Sequence, residues 1–227
     1  MERSLSSLLM IGMTIASFSC SPTSRIAFLG DSITQEGNQP GGYVDLIRKQ
    51  LNATASRTVD IIGAGISGNK VPDLQSRLET DVLSKKPTLV VIYIGINDVW
   101  HYQLGIGGTP KDRYEAGLRD LIARIQNSGS DVLLCTPSVV GEKTDGTNPL
   151  DSMLDDYSGI TRKVAAATGT PLCDLRMAFR FRLKEENPQN RDSGILTRDG
   201  VHLNDAGNRF VAAQIEEALK KQGLQTK

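Results

Sequence analysis

The sequence predicts an α/β fold, a three-layer α/β/α sandwich built on a five-stranded parallel sheet. Short apolar runs alternate with longer segments whose apolar residues recur every three or four positions, which is the pattern of βαβ units. The run Leu89-Val90-Val91-Ile92 is apolar without interruption. A central parallel strand that helices cover on both faces has this composition.

The first half of the chain supplies three strands and two helices. The first strand, Ile26–Leu29, is wholly apolar and stops at a glycine. The helix Tyr43–Leu51 follows, with apolar residues at helical spacing. The short apolar run Val59–Ile62 predicts the second strand, and helical spacing returns over Val71–Leu83. The most apolar run, Thr88–Ile94, predicts the third strand.

The second half repeats the alternation. Helical spacing over Asp112–Asn127 precedes a strand at Asp131–Thr136, and a further helix is predicted over Leu150–Ala167. A short run, Thr170–Cys173, gives the fifth strand, and the helix Asp205–Lys220 is the last element. Three longer segments are predicted as loops at the strand ends, where binding sites form: Tyr102–Lys111, Val139–Asn148 and Glu186–Arg198. No repeat or low-complexity linker divides residues 24–227, so we predict one domain.

Length and charge narrow the function classes. The chain has 227 residues, enough for one domain with a substantial core, and its 39% hydrophobic and 23% charged residues are typical of a globular protein. Its 26 basic and 26 acidic residues balance to zero net charge. No polyanion-binding surface is indicated, so nucleic acid is not an expected partner.

Residues 1–20 differ in composition from the rest of the chain. The apolar stretch of residues 5–18 is short for a membrane span and is followed by small residues, which indicates a secretory signal peptide. The segment also resembles a bacterial lipoprotein signal ending at Cys20, although Ser17 replaces the usual leucine and Glu2 adds an acid. We predict export, periplasmic or extracellular, with membrane attachment through a lipidated Cys20 favoured over free secretion. A plain signal peptide with an incidental cysteine is the alternative.

Two further cysteines, Cys135 and Cys173, lie in apolar strand-like runs. Export would permit a disulfide between them. We interpret them instead as buried thiols that act as small hydrophobes. Two cysteines without histidine neighbours do not form a zinc site, and we predict no metal and no cofactor.

The candidate chemistry begins at Gly30-Asp31-Ser32, directly after the first strand. Ligands of open α/β sheets bind at the carboxyl ends of the strands, so this serine lies where a substrate would sit. A serine hydroxyl becomes an effective nucleophile when an adjacent base takes its proton. The chain must therefore supply a base, an acid that orients the base, and donors for an oxyanion.

The chain has two histidines, so a histidine base is one of two residues. His202 ends Asp199-Gly200-Val201-His202, where a carboxylate and an imidazole share one tight turn. A helix cap beside an incidental histidine explains the same residues, since Asn204 would cap the next helix. His101 follows the third strand and has Asp98 three positions earlier, so the same geometry is open to it.

Two loops offer oxyanion donors. Asn97 follows the third strand, and its side-chain amide suits a developing oxyanion, although asparagine is also an ordinary turn residue. The loop Gly63–Gly68 has bare backbone N–H groups for the same purpose, but it also matches the Gly-x-Gly-x-x-Gly fingerprint of dinucleotide-binding proteins. Two observations argue against dinucleotide binding. The loop follows the second strand, whereas the fingerprint normally follows the first, and the third strand ends without an acid before Asp98. A tight turn without function is the third interpretation.

Four motifs occur in order at strand ends and in the last loop, and together they resemble the four blocks of the SGNH (GDSL) hydrolase family. The blocks are Gly30-Asp31-Ser32, Gly65-Ile66-Ser67-Gly68, Gly95-Ile96-Asn97-Asp98 and Asp199-Gly200-Val201-His202. The resemblance extends over residues 26–212, and it implies a flavodoxin-like sandwich that hydrolyses esters through an acyl-enzyme.

The resemblance also implies roles for individual residues. Ser32 would be the nucleophile, His202 the general base and then acid, and Asp199 the residue that orients His202. The oxyanion hole would consist of the backbone N–H groups of Ser32 and Gly68 and the side-chain amide of Asn97.

Three more residues are assigned to the substrate site. Asp31 shapes the serine turn in the family and is grouped here with the substrate-binding residues, and Trp100 and His101 would line the pocket. This sequence has Gly63 where the family usually has an asparagine, which puts the local bracing of that loop in doubt.

The favoured function is a serine esterase that cleaves short acyl esters, among which O-acetyl groups on carbohydrates suit an exported enzyme. The partner is then a small-molecule or carbohydrate ester. The alternatives are a nucleotide-binding oxidoreductase that uses the Gly63–Gly68 loop and a non-catalytic surface binding protein. The polar and glycine-rich loops argue against long acyl chains, so activity should fall beyond about four acyl carbons because pocket shape sets specificity.

Overall fold

The apolar runs form a single parallel sheet. A computed structural model describes residues 24–54, 58–221 and 223, so the predicted signal segment and Cys20 lie outside the described residues and stay predictions. The strands are β1 (Arg25–Gly30), β2 (Asp60–Gly65), β3 (Leu89–Tyr93), β4 (Asp131–Cys135) and β5 (Leu172–Cys173). They lie in the order β2-β1-β3-β4-β5, and every pairing is parallel. The predicted α/β class and five-stranded parallel sheet are confirmed.

Helices cover both faces of the sheet. They are α1 (Ser32–Gly37), α2 (Tyr43–Thr54), α3 (Val71–Asp81), α4 (Ile96–Gln103), α5 (Lys111–Asn127), α6 (Asp151–Thr168), α7 (Leu175–Glu186) and α8 (Asp205–Lys221). Helices α3, α5 and α6 pack side by side, and α2, α7 and α8 form a second group. Right-handed crossovers place these two groups on opposite faces, which completes the three layers. Among the described residues, none of the helices combines the length and apolar character that a bilayer crossing requires.

The central strands form the core. Every residue from Ile26 to Leu29 in β1, and from Val90 to Ile92 in β3, has no exposed surface. Uninterrupted burial on both faces is what their uninterrupted apolar sequence predicts. Cys135 and Cys173 pair in register between β4 and β5, and both are buried free thiols, as interpreted from the sequence.

Three helices were not predicted, for two different physical reasons. Helix α1 has six residues, and α4 has eight, so neither is long enough to display a clear apolar period. Helix α7 carries apolar residues at alternating positions, because Met177 and Phe181 are exposed while Leu175, Phe179 and Leu183 face the core. That alternation imitates a strand and hides the helical period.

The strand order creates a crevice at one point of the sheet. From β1 the chain crosses to β2 on one side, and from β3 it crosses to β4 on the other side. Adjacent strands whose connections diverge leave a gap between the helices at their carboxyl ends, and ligands bind there. Ser32 follows β1 and Asn97 lies shortly after β3, so the fold places both at this crevice.

Candidate active site

Ser32 is the first residue of α1, at the point where β1 ends. The Asp31 side chain caps this helix by accepting a hydrogen bond from the Ile33 N–H at 3.0 Å. Burial raises the pKa of Asp31 to about 7 despite that hydrogen bond. Asp31 is 2% exposed and Ser32 is 8% exposed. The contacts of Asp31 shape the serine turn, and its predicted contact with substrate stays a prediction.

His202, rather than His101, meets the serine. The Oγ atom of Ser32 lies 3.0 Å from Nε2 of His202, although 170 positions separate the two residues. On the other side of the ring, Nδ1 lies 2.8 Å from Oδ2 of Asp199. With the proton on Nδ1 and donated to Asp199, Nε2 is free to accept the serine proton. This is the arrangement of a nucleophile, a base and an orienting acid.

Asp199 is held in its ionised form. Burial raises its pKa, but hydrogen bonds from the His202 side chain and from the backbone N–H groups of His202 and Val201 outweigh burial and hold it below the ordinary value. Its Oδ1 accepts from the N–H of His202 at 2.7 Å and of Val201 at 3.0 Å. The carboxylate therefore fixes both the turn and the ring.

An ion pair connects this turn to the serine helix. Arg198 donates to both carboxylate oxygens of Glu36 on α1, at 2.9 and 2.7 Å. Both side chains are about half exposed, so the pair contributes more to geometry than to stability. The planar fork of Arg198 constrains how the turn sits against α1.

Trp100 and His101 occupy the α4 side of the site. The Trp100 ring stands edge-on to the His202 ring, with centroids 6.2 Å apart. Partial burial and the nearby charge of Lys70 lower the pKa of His101, which keeps it neutral at physiological pH. Trp100 is thus brought to the triad. The role of His101 in lining the pocket stays a prediction.

The two predicted oxyanion loops are joined to each other. Asn97 is 3% exposed, and its amide nitrogen donates to the carbonyl of Asn69 at 3.0 Å. The neighbouring Gly68 has φ +77°, a backbone conformation that glycine adopts without strain. A hydrogen bond therefore connects the side-chain amide of Asn97 to the loop that carries the Gly68 N–H.

The loop is braced by residues that the sequence analysis missed. Gln35 accepts from the Ser67 N–H at 2.7 Å. Arg77 donates to the side-chain oxygen of Asn69 at 2.7 Å and to the carbonyl of Gly30 at 2.8 Å. These contacts supply bracing at a loop where the family asparagine is replaced by Gly63. No sequence motif predicts the contacts of Gln35 or Arg77, because their partners are distant in sequence.

The first two glycines of the fingerprint, Gly63 and Gly65, serve packing beside α1. A Cβ atom on Gly63 would lie 2.4 Å from the Asn38 side chain, and one on Gly65 would lie 2.1 Å from the backbone nitrogen of Gln35. Helix α1 thus fills the space beside these glycines. Close packing explains Gly63 and Gly65, and the positive φ explains Gly68, so the glycine spacing does not require a pyrophosphate.

Asp98 is a buried carboxyl beneath the site. Its Oδ1 accepts from the Val71 N–H at 3.1 Å, while Oδ2 has no hydrogen-bond partner among the residues described. Burial raises its pKa to about 6, against an ordinary value of 3.8. Ionisation of this group therefore costs folding free energy at neutral pH.

Asp98→Asn is expected to stabilise the protein at pH 8 and to have little effect at pH 4. The raised pKa means that the folded state holds the proton more tightly than the unfolded state, so this contribution to stability is complete below pH 3.8 and is lost as the pH rises through about 6. The difference is on the order of 3 kcal/mol. Urea unfolding of both proteins at the two pH values measures it, and an equal difference at both would contradict the assignment.

The comparisons with known proteins agree with this geometry. Residues 28–210 match the GDSL-like Lipase/Acylhydrolase family. The chain belongs to this family. Family membership makes it a carboxylic ester hydrolase and overrules the oxidoreductase and non-catalytic alternatives.

Similar proteins within the GDSL-like family include acetylxylan esterases. The chain is 33% identical to an acetylxylan esterase of Geobacillus stearothermophilus, over 83% of this chain and 90% of that protein. It is 46% identical in sequence to the acetyl xylan esterase AlAXEase, and the TM-score against the crystal structure of that protein is 0.83. The match covers 86% of this chain and 99% of that one. The chain is also similar to structures of Axe2 from G. stearothermophilus, which include catalytic mutants in which a serine, a histidine or an aspartate is replaced. The serine mutant is 29% identical to this chain, with a TM-score of 0.75. The match covers 87% of this chain and 95% of the mutant's chain.

Within residues 24–54, 58–221 and 223, no cluster of three or more His, Cys, Asp or Glu side chains is arranged to hold a metal ion.

Proposed function

We propose that the protein removes O-acetyl groups from carbohydrates through an acetyl-enzyme on Ser32. The observation that carries the proposal is the hydrogen-bonded series from Ser32 through His202 to Asp199, at the crevice that also holds Asn97. Similarity to proteins named acetylxylan esterase supports an acetylated polysaccharide as the substrate class.

The reaction follows from the positions of these groups. As Ser32 Oγ attacks the acetyl carbonyl, Nε2 of His202 takes its proton, and Asp199 stabilises the imidazolium that forms. The oxyanion accepts hydrogen bonds from the N–H groups of Ser32 and Gly68 and from the Asn97 amide. The carbon–oxygen bond to the sugar then breaks, and His202 protonates the leaving sugar oxygen. Water repeats the sequence on the acetyl-enzyme and releases acetate.

The preference for a short acyl group also belongs to the proposal. A groove of about 760 Å³ lies between residues 139–148 and α7, and its lining includes none of the three triad residues. The segment that follows α4 is rich in glycine, with Gly105, Gly107 and Gly108. Tyr102 at the end of α4 and Leu104 and Ile106 in the same segment are exposed. The preference for a short acyl group is therefore supported by the similarity to acetylxylan esterases and not by the polarity of this segment.

Activity on p-nitrophenyl esters is expected to be highest for acetate and to fall beyond about four acyl carbons, because the similar proteins are named acetylxylan esterases and pocket shape sets specificity. The measurement is kcat/KM over a series from acetate to palmitate, together with acetate release from acetylated xylo-oligosaccharides. Ser32→Ala is the matched control for background hydrolysis. A rise in kcat/KM towards palmitate, or no acetate from the oligosaccharides, would contradict the proposed substrate.

A further inference from the structure

Glu142 is a buried carboxylate beneath the turn that carries Asp199 and His202. It has no exposed surface, and no ion pair joins it to a basic residue of the described chain. Its Oε1 accepts from the N–H groups of Leu196 and Thr197, at 2.7 and 2.6 Å, and from the Thr197 hydroxyl at 2.8 Å. Its Oε2 accepts from the Ile195 N–H at 2.8 Å.

Further hydrogen bonds carry this anchoring to the catalytic turn. The Thr197 hydroxyl, which donates to Glu142, accepts from the Gly200 N–H at 3.0 Å. The carbonyl of Gly200 accepts from the Gly141 N–H at 2.8 Å. Both backbone polar groups of Gly200, the residue next to Asp199, are thus fixed: the carbonyl directly by the 139–148 loop, and the N–H through Thr197.

Electrostatics explain why a charged group suits this position. A buried carboxylate without a cation carries a large desolvation cost, which only well-formed hydrogen bonds offset. Hydrogen bonds to an ionised acceptor are shorter and stronger than neutral ones, and four of them converge here. The arrangement fixes three consecutive backbone N–H groups in one geometry.

We propose that Glu142 is a positioning residue that sets the distance between His202 and Ser32 by fixing the backbone of residues 195–200. This inference rests on the proposed function, because it assigns the base to His202. A displacement of about 1 Å at a catalytic group is sufficient to lower a rate about 10²-fold. A change in the geometry of the Asp199–His202 turn is therefore expected to change the catalytic rate.

The test begins with Glu142→Gln, which preserves size and removes charge. An amide must turn its NH₂ group towards at least one of the backbone N–H donors, because both carboxylate oxygens accept. We expect kcat for p-nitrophenyl acetate to fall about 10–100-fold while KM changes less than about twofold. The rate at which a fluorophosphonate labels Ser32 should fall in parallel.

A second pair of variants guards against a variant that does not fold. Thr197→Val keeps the volume but removes the hydroxyl between Glu142 and Gly200, whereas Thr197→Ser keeps the hydroxyl. The valine variant should lose several-fold in kcat, and the serine variant much less.

The matched control is Asp174→Asn. Asp174 also accepts four hydrogen bonds, from Thr136, Met177 and Arg162, but at the start of α7. The Asp174→Asn substitution should lower the stability of the protein without changing kcat.

A spectroscopic measurement separates positioning from stability. The chain has two histidines, so ¹H–¹⁵N spectra of histidine-labelled protein resolve the Nδ1 proton of His202. We expect that signal to shift or broaden in Glu142→Gln and Thr197→Val, and to be unchanged in Asp174→Asn.

The outcomes separate this inference from the proposed function. Wild-type kcat and an unchanged His202 signal in folded Glu142→Gln, with Ser32→Ala inactive, would overturn the positioning role alone. A loss of kcat that matches the unfolded fraction in all variants would also overturn it. Activity in Ser32→Ala would overturn the triad itself.

Discussion

Ser32→Ala is expected to lower kcat for p-nitrophenyl acetate by about 10⁶-fold, because the acetyl-enzyme cannot form without the hydroxyl. His202→Ala should lose about as much, since an unactivated serine is a weak nucleophile. The Ser32 and His202 side chains act as one hydrogen-bonded unit, so the double variant should be no worse than either single one. Asp199→Asn should lose less than His202→Ala. Steady-state kinetics and fluorophosphonate labelling measure these losses.

The double variant makes this prediction specific. If the loss of kcat in the double variant equalled the product of the two single losses, the two side chains would act independently. The 3.0 Å contact between Ser32 and His202 predicts instead that they act together. Circular dichroism of each variant serves as the control for folding. Normal activity in a folded Ser32→Ala protein would remove Ser32 as the nucleophile.

Asn97→Ala is expected to lower kcat by about 10²–10³-fold and to leave KM nearly unchanged. The physical reason is that its amide donates to charge that exists only in the transition state. Kinetics on p-nitrophenyl acetate separate kcat from KM.

The same side chain also holds Asn69, so a control for loop position is needed. Arg77→Gln loosens the Asn69 side chain from the other side and should cost less kcat than Asn97→Ala. A rise in KM at constant kcat in Asn97→Ala would assign Asn97 to substrate binding instead.

The positions of several candidate site residues could be predicted because their signals are local. Ser32 and Asn97 each follow an apolar strand, and parallel strands bring their carboxyl ends to one edge. Asp199 and His202 share a single turn. Such relations are readable from one sequence, and the structure assembles them at the switch between β1 and β3.

The supporting contacts could not be predicted, because they join residues that are distant in sequence. Glu142 reaches Thr197 across 55 positions, and Gln35 reaches Ser67 across 32. No periodicity or motif encodes such a pairing. Helix α7 was missed for a different reason, since the exposed Met177 and Phe181 break its helical pattern.

The separation of Ser32 from His202 in the sequence has a consequence for when the site forms during synthesis. Synthesis produces Ser32 170 residues before His202, so a ribosome-bound fragment that ends before His202 lacks the imidazole that contacts Ser32. Loop closure over that distance is entropically costly and follows the local pairing of strands and helices. The proposed triad is therefore complete only when the segment that carries His202 lies against Ser32.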